Sequence, residues 1–153
     1  MQQDTNFVSM RAVLMSIKPK YAKKIISGSK TVELRRVAPK VNSPTIILIY
    51  ESTPITAITS YAILNSITIE NPPKLWEMFS DEVQISKDEF DIYYMGAEKA
   101  YALHISDAKT LSKPIKLEEL RSQNFLAHPP QSYRYISLEE VFKIFDIKIT
   151  LSH

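Results

Sequence analysis

The chain has no cysteine and only two glycines among its 153 residues. Without cysteine there is no disulfide framework, no thiol nucleophile and no cysteine-based metal site. Two glycines, Gly28 and Gly96, are too few for a Gly-rich phosphate loop, a dinucleotide-binding fingerprint or a nucleophile elbow. No apolar run approaches the roughly 20 residues that a membrane-spanning helix needs. No secretory signal pattern opens the sequence, so a cytoplasmic protein is expected. Charge of one sign is also lacking. Nineteen Lys and Arg against seventeen Asp and Glu leave a net +2, so any nucleic-acid role must come from a local patch. The three histidines, His104, His128 and His153, have no partner at ligand spacing, and no metal or other cofactor is expected.

What is present is an ordinary globular composition, 44% hydrophobic and 24% charged, most simply one domain. The most informative stretch is Met10–Arg36. Val13–Ile17 is an apolar run of strand length. Pro19 suits a first helical turn, and Tyr21, Ala22, Ile25 and Ile26 recur at helical spacing. Lys20, Lys23 and Lys24 form the opposite, solvated face of that helix. Gly28 follows where a left-handed cap is needed. Lys30–Arg36 then alternates, with Val32 and Leu34 on one face and Thr31, Glu33 and Arg35 on the other.

The polar segment 1–9 is predicted to be disordered, and residues 10–153 to form the domain. Val37–Ser43 reads as a loop. Thr45–Tyr50 reads as a strand buried on both faces, and Ile55–Ile69 as a long strand bent in its middle. Pro72 and Pro73 break that strand ahead of a short helix over Lys74–Ser80. Ser86 and Glu89 form a capping-box pattern at the head of a helix running to Tyr94, which Gly96 ends. Ala100–Ile105 continues as a strand toward Lys109. Pro114 then marks a turn, Leu117–Arg121 a short helix, and Phe125–Ser132 an irregular segment. Ser137 starts a helix over Leu138–Phe142, and Phe145–Leu151 is read as a last strand. Trp76, Phe79, Phe90, Tyr93 and Tyr94 have inward helical spacing and are assigned to the core, and His104 to the wall of the sheet.

The stretch LMSIKPKYAKKIISGSKTVELRR resembles the signature of ASCH domains, small β-barrels of the PUA-like superfamily. Ser16, Ile17, Lys18, Pro19, Gly28, Lys30, Thr31, Glu33, Arg35 and Arg36 carry the match. Looser matches lie at Tyr94–His104 and Pro129–Tyr135. The resemblance implies an α+β fold: a PUA-like barrel of about five to six mostly antiparallel strands with short flanking helices. It also implies a ligand cleft beside the Lys30–Arg36 strand.

The candidate ligand residues are Lys18, Tyr21, Lys30, Glu33, Arg35 and Arg36, joined by Gln131, Ser132 and Tyr133 of the PPQSYRY segment. Arginine offers a planar fork for phosphate or a base edge, lysine a point charge, and glutamate an acceptor for a base amino group. From residue types alone, Glu33 and Arg35 read more readily as solvated surface ion pairs of small energetic value, a reading that the resemblance lowers. PPQSYRY has two readings as well: a stiffened loop presenting groups for base recognition, or a loop whose tyrosines cover the barrel end. His128 lies beside it.

Some ASCH proteins are amidohydrolases of acetylated cytidine, and others are suggested to cleave RNA. The lysine after the amidohydrolase glycine matches Lys30, but the threonine three residues on falls on Glu33. Thr31 points to the other face, and Glu89 is the candidate for a later glutamate. The lost hydroxyl weighs against that deacetylase mechanism. The preferred reading is therefore an RNA- or nucleotide-binding domain, a regulator in transcription or RNA metabolism. The alternative is a hydrolase, amidohydrolase or ribonuclease, using Lys30 and Glu33 on RNA or a modified nucleoside. The third is a protein–protein adaptor.

Overall fold

The computed structural model describes residues 11–150, with side chains as far as Ile144, so the expectations for segment 1–9, Leu151 and His153 lie outside the described residues. Within that range the chain forms one six-stranded sheet with helices at its ends and on its faces. The strands are β1 (Arg11–Ile17), β2 (Val32–Arg35), β3 (Thr45–Glu51), β4 (Ala57–Glu70), β5 (Ala100–Lys116) and β6 (Tyr133–Ser137). The helices are α1 (Pro19–Ser27), α2 (Pro72–Phe79), α3 (Lys87–Tyr93), α4 (Leu117–Ser122) and α5 (Leu138–Thr150). The strand order is β2-β5-β4-β3-β1-β6. Only β1 and β3 pair in parallel; the other pairings are antiparallel. The expected mixed α+β, barrel-like architecture is what is found, with the sheet left open between β2 and β6 rather than closed by a ladder.

The central pair β1–β3 is buried on both faces, as its nearly continuous apolar runs require. Ala12, Leu14, Leu48 and Tyr50 pack into one core with Ile58, Ile115, Leu120 and Ile136. The alternating neighbours Val13, Met15, Ile17, Ile47 and Ile49 face the other way, against Ala22 and Ile25 of α1. A third cluster packs Val32 and Leu34 of β2 beneath Leu75, Val83, Phe90 and Tyr94. Register shifts in the β4–β5 ladder bend the two long strands, the expected way to turn a barrel corner.

Local signals explain most boundaries. Gly28 caps α1 at φ 88°, in the left-handed region. The Ser137 hydroxyl accepts from Glu140 N at 3.1 Å while the Glu140 carboxylate reaches back to Ser137 N at 3.4 Å, a complete capping box. Several expectations need correction. Pro72 and Pro73 do not merely break β4; they open α2, behind an Asn71 cap whose side chain accepts from Lys74 N. Pro114 lies within β5, where the ladder to β4 is interrupted and no N–H is demanded of it. PPQSYRY is a loop only to Ser132, because Tyr133 already pairs with Met15 as the start of β6. The supposed last strand, Phe145–Leu151, is helical as far as Thr150: α5 continues through it, since its Ile residues also satisfy a helical period.

Gly28→Ala is expected to lower stability by about 1–2 kcal/mol, the cost of a left-handed Cβ. A Cβ there would meet nothing within 4 Å, so the change isolates backbone strain. Thermal unfolding should move down by a few degrees, roughly 2–4 °C per kcal/mol for a domain of this size.

Candidate nucleic-acid interface

The first turn of α1, Glu33–Arg35 of β2, the segment before β6 and the outer side of α3 surround one cavity of about 1000 Å³. All nine candidate ligand residues line it: Lys18, Tyr21, Lys30, Glu33, Arg35, Arg36, Gln131, Ser132 and Tyr133. Its floor is charged and buried. Glu33 is 6% exposed, Lys30 2% and Arg35 9%. The surface ion-pair reading of this strand is thereby excluded, because β2 turns both of its faces into the protein.

Glu33 sits between two cations. Its Oε2 accepts from an Arg35 terminal nitrogen at 2.8 Å, and its Oε1 lies 3.7 Å from Lys30 Nζ. Lys30 also donates to the Val83 carbonyl. Burial pushes the Lys30 ammonium below its ordinary pKa, and the Glu33 carboxylate partly restores it. Arg35 spans the gap between the sheet edges: it donates to the Ser16 carbonyl at 2.9 Å and to the Ser132 hydroxyl at 3.1 Å. Ser132 is itself held by β1, since its carbonyl accepts from Ser16 N and the Ser16 hydroxyl donates to the Pro130 carbonyl at 2.6 Å. The stiff prolines thus present Gln131 and Ser132 to the cavity from a fixed loop.

The rim is exposed and basic. Lys18 closes β1 and precedes α1, and Lys20 stands one residue further along the helix. Arg36 donates to the Tyr93 carbonyl at 2.8 Å and so holds the end of α3 against β2. The Tyr133 hydroxyl donates to the Ala38 carbonyl at 3.2 Å, which fixes its ring in the wall. Tyr21 forms the opposite wall. Its hydroxyl donates to Glu89 at 2.6 Å, and its ring lies 5.4 Å from Lys30 Nζ. Burial raises the pKa of the Tyr21 phenol.

Lys20, Ser16, Ser52, Glu89 and Tyr93 also line the cavity although they were not assigned to it from sequence. Glu89 has half of a visible signal. Ser86 accepts from Glu89 N as the capping box requires, but the Glu89 side chain turns to Tyr21 instead of closing the box. Tyr93, assigned to the core, is 38% exposed on the cavity side of α3. Thr31 is exposed and outside the cavity, so it supplies no hydroxyl there. His104 is a wall residue, with Nε2 2.8 Å from the Thr68 hydroxyl and its ring edge-on to Phe79. His128 is exposed and outside the cavity.

Known proteins resemble this arrangement over most of its length. Residues 10–123 match the family described as Domain of unknown function (DUF365). An ASCH domain-containing ribonuclease of Zymomonas mobilis is 31% identical over 140 residues, 92% of this chain and 94% of that protein. The chain belongs to the ASCH domain family. The crystal structure of ASCH from Zymomonas mobilis superposes on this ASCH domain with a TM-score of 0.83, at 32% identity, over 88% of this chain and 94% of the other. Human THYN1, solved in complex with 5-methylcytosine-containing DNA, shares only the fold, at 11% identity and TM-score 0.57 over 90% of this chain and 97% of that one.

Two outcomes follow from the charged floor. Arg35→Met should destabilise this ASCH domain by about 3–5 kcal/mol in denaturant unfolding, because it removes one partner from a buried network. Adding Glu33→Gln to that variant should recover part of the loss; strictly additive costs of Arg35→Met and Glu33→Gln in a double-mutant cycle would show that the pair is not coupled. The second outcome concerns pH. The folded chain gives up the Lys30 proton at a lower pH than the unfolded chain, whose lysine keeps it to about 10.5. Across that alkaline window the unfolded state binds more protons, so rising pH favours the folded state. The stability of the parent relative to Lys30→Met should therefore climb toward pH 10.5, as read from paired unfolding curves.

Proposed function

We propose that this ASCH domain binds single-stranded RNA in the cleft and cleaves it. The observation that carries the reading is a lysine and a carboxylate, Lys30 and Glu33, set 3.7 Å apart on the floor of a cavity rimmed by Lys18, Lys20 and Arg36. A cleft of this volume accommodates a nucleotide, and rim cations suit the phosphates on either side of it. The Zymomonas ribonuclease, similar over nearly its whole length, supports RNA as the substrate.

Cleavage through the ribose requires a base for the 2′-hydroxyl proton, positive charge at the phosphate and an acid for the departing oxygen. Glu33 takes the proton as the 2′-oxygen attacks phosphorus. Lys30, whose ammonium burial makes readier to part with its proton, donates to the 5′-oxygen as the P–O bond breaks. The products are a 2′,3′-cyclic phosphate and a free 5′-hydroxyl. The neighbouring carboxyl then returns a proton to the neutral lysine, and the pair is reset. Arg35 anchors Glu33 in place, and Lys18 faces the phosphate from the rim.

A fluorescent single-stranded RNA is expected to be cut by the parent protein and left intact by Lys30→Ala and Glu33→Gln, each shown to be folded by circular dichroism. DNA of the same sequence lacks the 2′-hydroxyl and should survive. Salt-sensitive RNA binding without any product would refute the cleavage step. It would favour the second reading, a regulatory RNA-binding module, for which the exposed rim cations speak.

A further inference from the structure

Beyond the Tyr21 wall lies a second pocket of about 380 Å³. It shares Lys20, Tyr21, Ile85 and Glu89 with the main cavity, so the two pockets adjoin across these residues. Its own lining comes from Lys24, Ser80, Asp81, Gln84 and Ser86. The partition between the chambers is the Tyr21 ring, held upright by its hydroxyl on Glu89 and flanked by Lys20 at 4.8 Å and Lys30 at 5.4 Å.

The loop carrying Gln84 is built with care. Gln84 adopts φ 54°, a left-handed conformation unusual for a side-chain-bearing residue. Its carbonyl accepts from Lys24 Nζ at 3.1 Å, and its own amide donates to the Asp81 carbonyl at 2.7 Å. The same loop accepts from Lys30 through Val83 and from Thr31 and Val32 through Glu82. One rigid segment therefore supports the floor of the main cavity and forms the wall of the side pocket. Backbone held in a sparse conformation by several bonds marks functional positions.

We propose that the side pocket is a second nucleotide subsite, and that Tyr21 is the blade between two consecutive bases of a strand. This rests on the reading of the main cavity as an RNA site and makes the substrate a polynucleotide rather than a free nucleoside. An aromatic face accepts any base by stacking. The carbonyl, amide, hydroxyl and carboxylate groups of Ser80, Asp81, Gln84 and Ser86 address base edges. The phosphate linking the two units would cross the partition at Lys20. That lysine is solvent-exposed and paired with Glu89 only at 3.6 Å, a contact that a phosphate readily replaces.

The test compares nucleoside 5′-monophosphates with dinucleotides carrying a 2′-O-methyl group, which blocks cleavage, by isothermal titration. The parent should bind the dinucleotide at least about fivefold tighter than the monophosphate, the low end of what one stacked base contributes. Ser80→Tyr, which fills the side pocket, and Lys24→Glu, which reverses its charge, should erase that advantage. Monophosphate affinity should be unchanged in Ser80→Tyr, since Ser80 lines only the side pocket. Monophosphate binding that Lys30→Ala abolishes, with no dinucleotide advantage, would overturn the second subsite and leave the cleft reading standing. An advantage that survives in both variants would overturn it equally. No nucleotide binding of any kind would overturn both.

Discussion

Arg35 is the point at which the open sheet is held together. β2 and β6 are the two edges of a six-stranded sheet and share no ladder. The guanidinium of Arg35, on one edge, donates to the end of β1 and to Ser132 beside the other edge. Hydrogen bonds from a planar fork replace the backbone pairing that would otherwise close the barrel. A guanidinium 9% exposed needs a counter-charge, and Glu33 supplies it at 2.8 Å. Glu33 in turn is what makes a buried lysine tolerable at position 30. The three residues stand or fall together.

That dependence also shapes the cleft. The gap between unpaired edges is the cavity, and the side chains that bridge the gap are its floor. Structural ties and chemical groups are therefore the same atoms. The floor holds two cations and one carboxylate, with Lys30 and Arg35 on either side of Glu33 at 3.7 and 2.8 Å. The rim lysines Lys18 and Lys20, by contrast, are exposed and can follow a ligand, while Arg36 is tied to the Tyr93 carbonyl. Electrostatics thus divide the site into a fixed floor and an adaptable lip.

The sequence made the site more legible than the fold around it. Strand, capped helix and alternating strand could be read from Val13 to Arg36 because Pro19, Gly28 and the two periods agree locally. All nine candidate residues share the cavity, yet the burial of Glu33 and Arg35 was invisible. An alternation of charged and apolar residues reads as a half-solvated strand unless other segments, here the end of β1 at Ser16 and the loop at Ser132, meet the polar side chains. Lys20 was hidden because a solvated helix face explains it locally, and Glu89, named only as a candidate later glutamate, because a capping box explains it. The errors in the fold fell where one residue type serves two structures. Proline both ends strands and begins helices, and the Ile-rich end of the chain satisfies either period. Tertiary contact decides between them.

The pairing of β1 with both β3 and β6 has a temporal side. Arg11 stands opposite Ser137, so the first described strand finds its last neighbour more than a hundred residues later. One edge of β1 waits for this distant strand, and Ser16 cannot meet Ser132 until the chain between them has folded back. The long-range closure that fixes Gln131 and Ser132 in the cleft is thus among the last contacts to become possible. A chain already holding its apolar central strands would still lack a finished cleft until the segment carrying Gln131 and Ser132 has docked on β1.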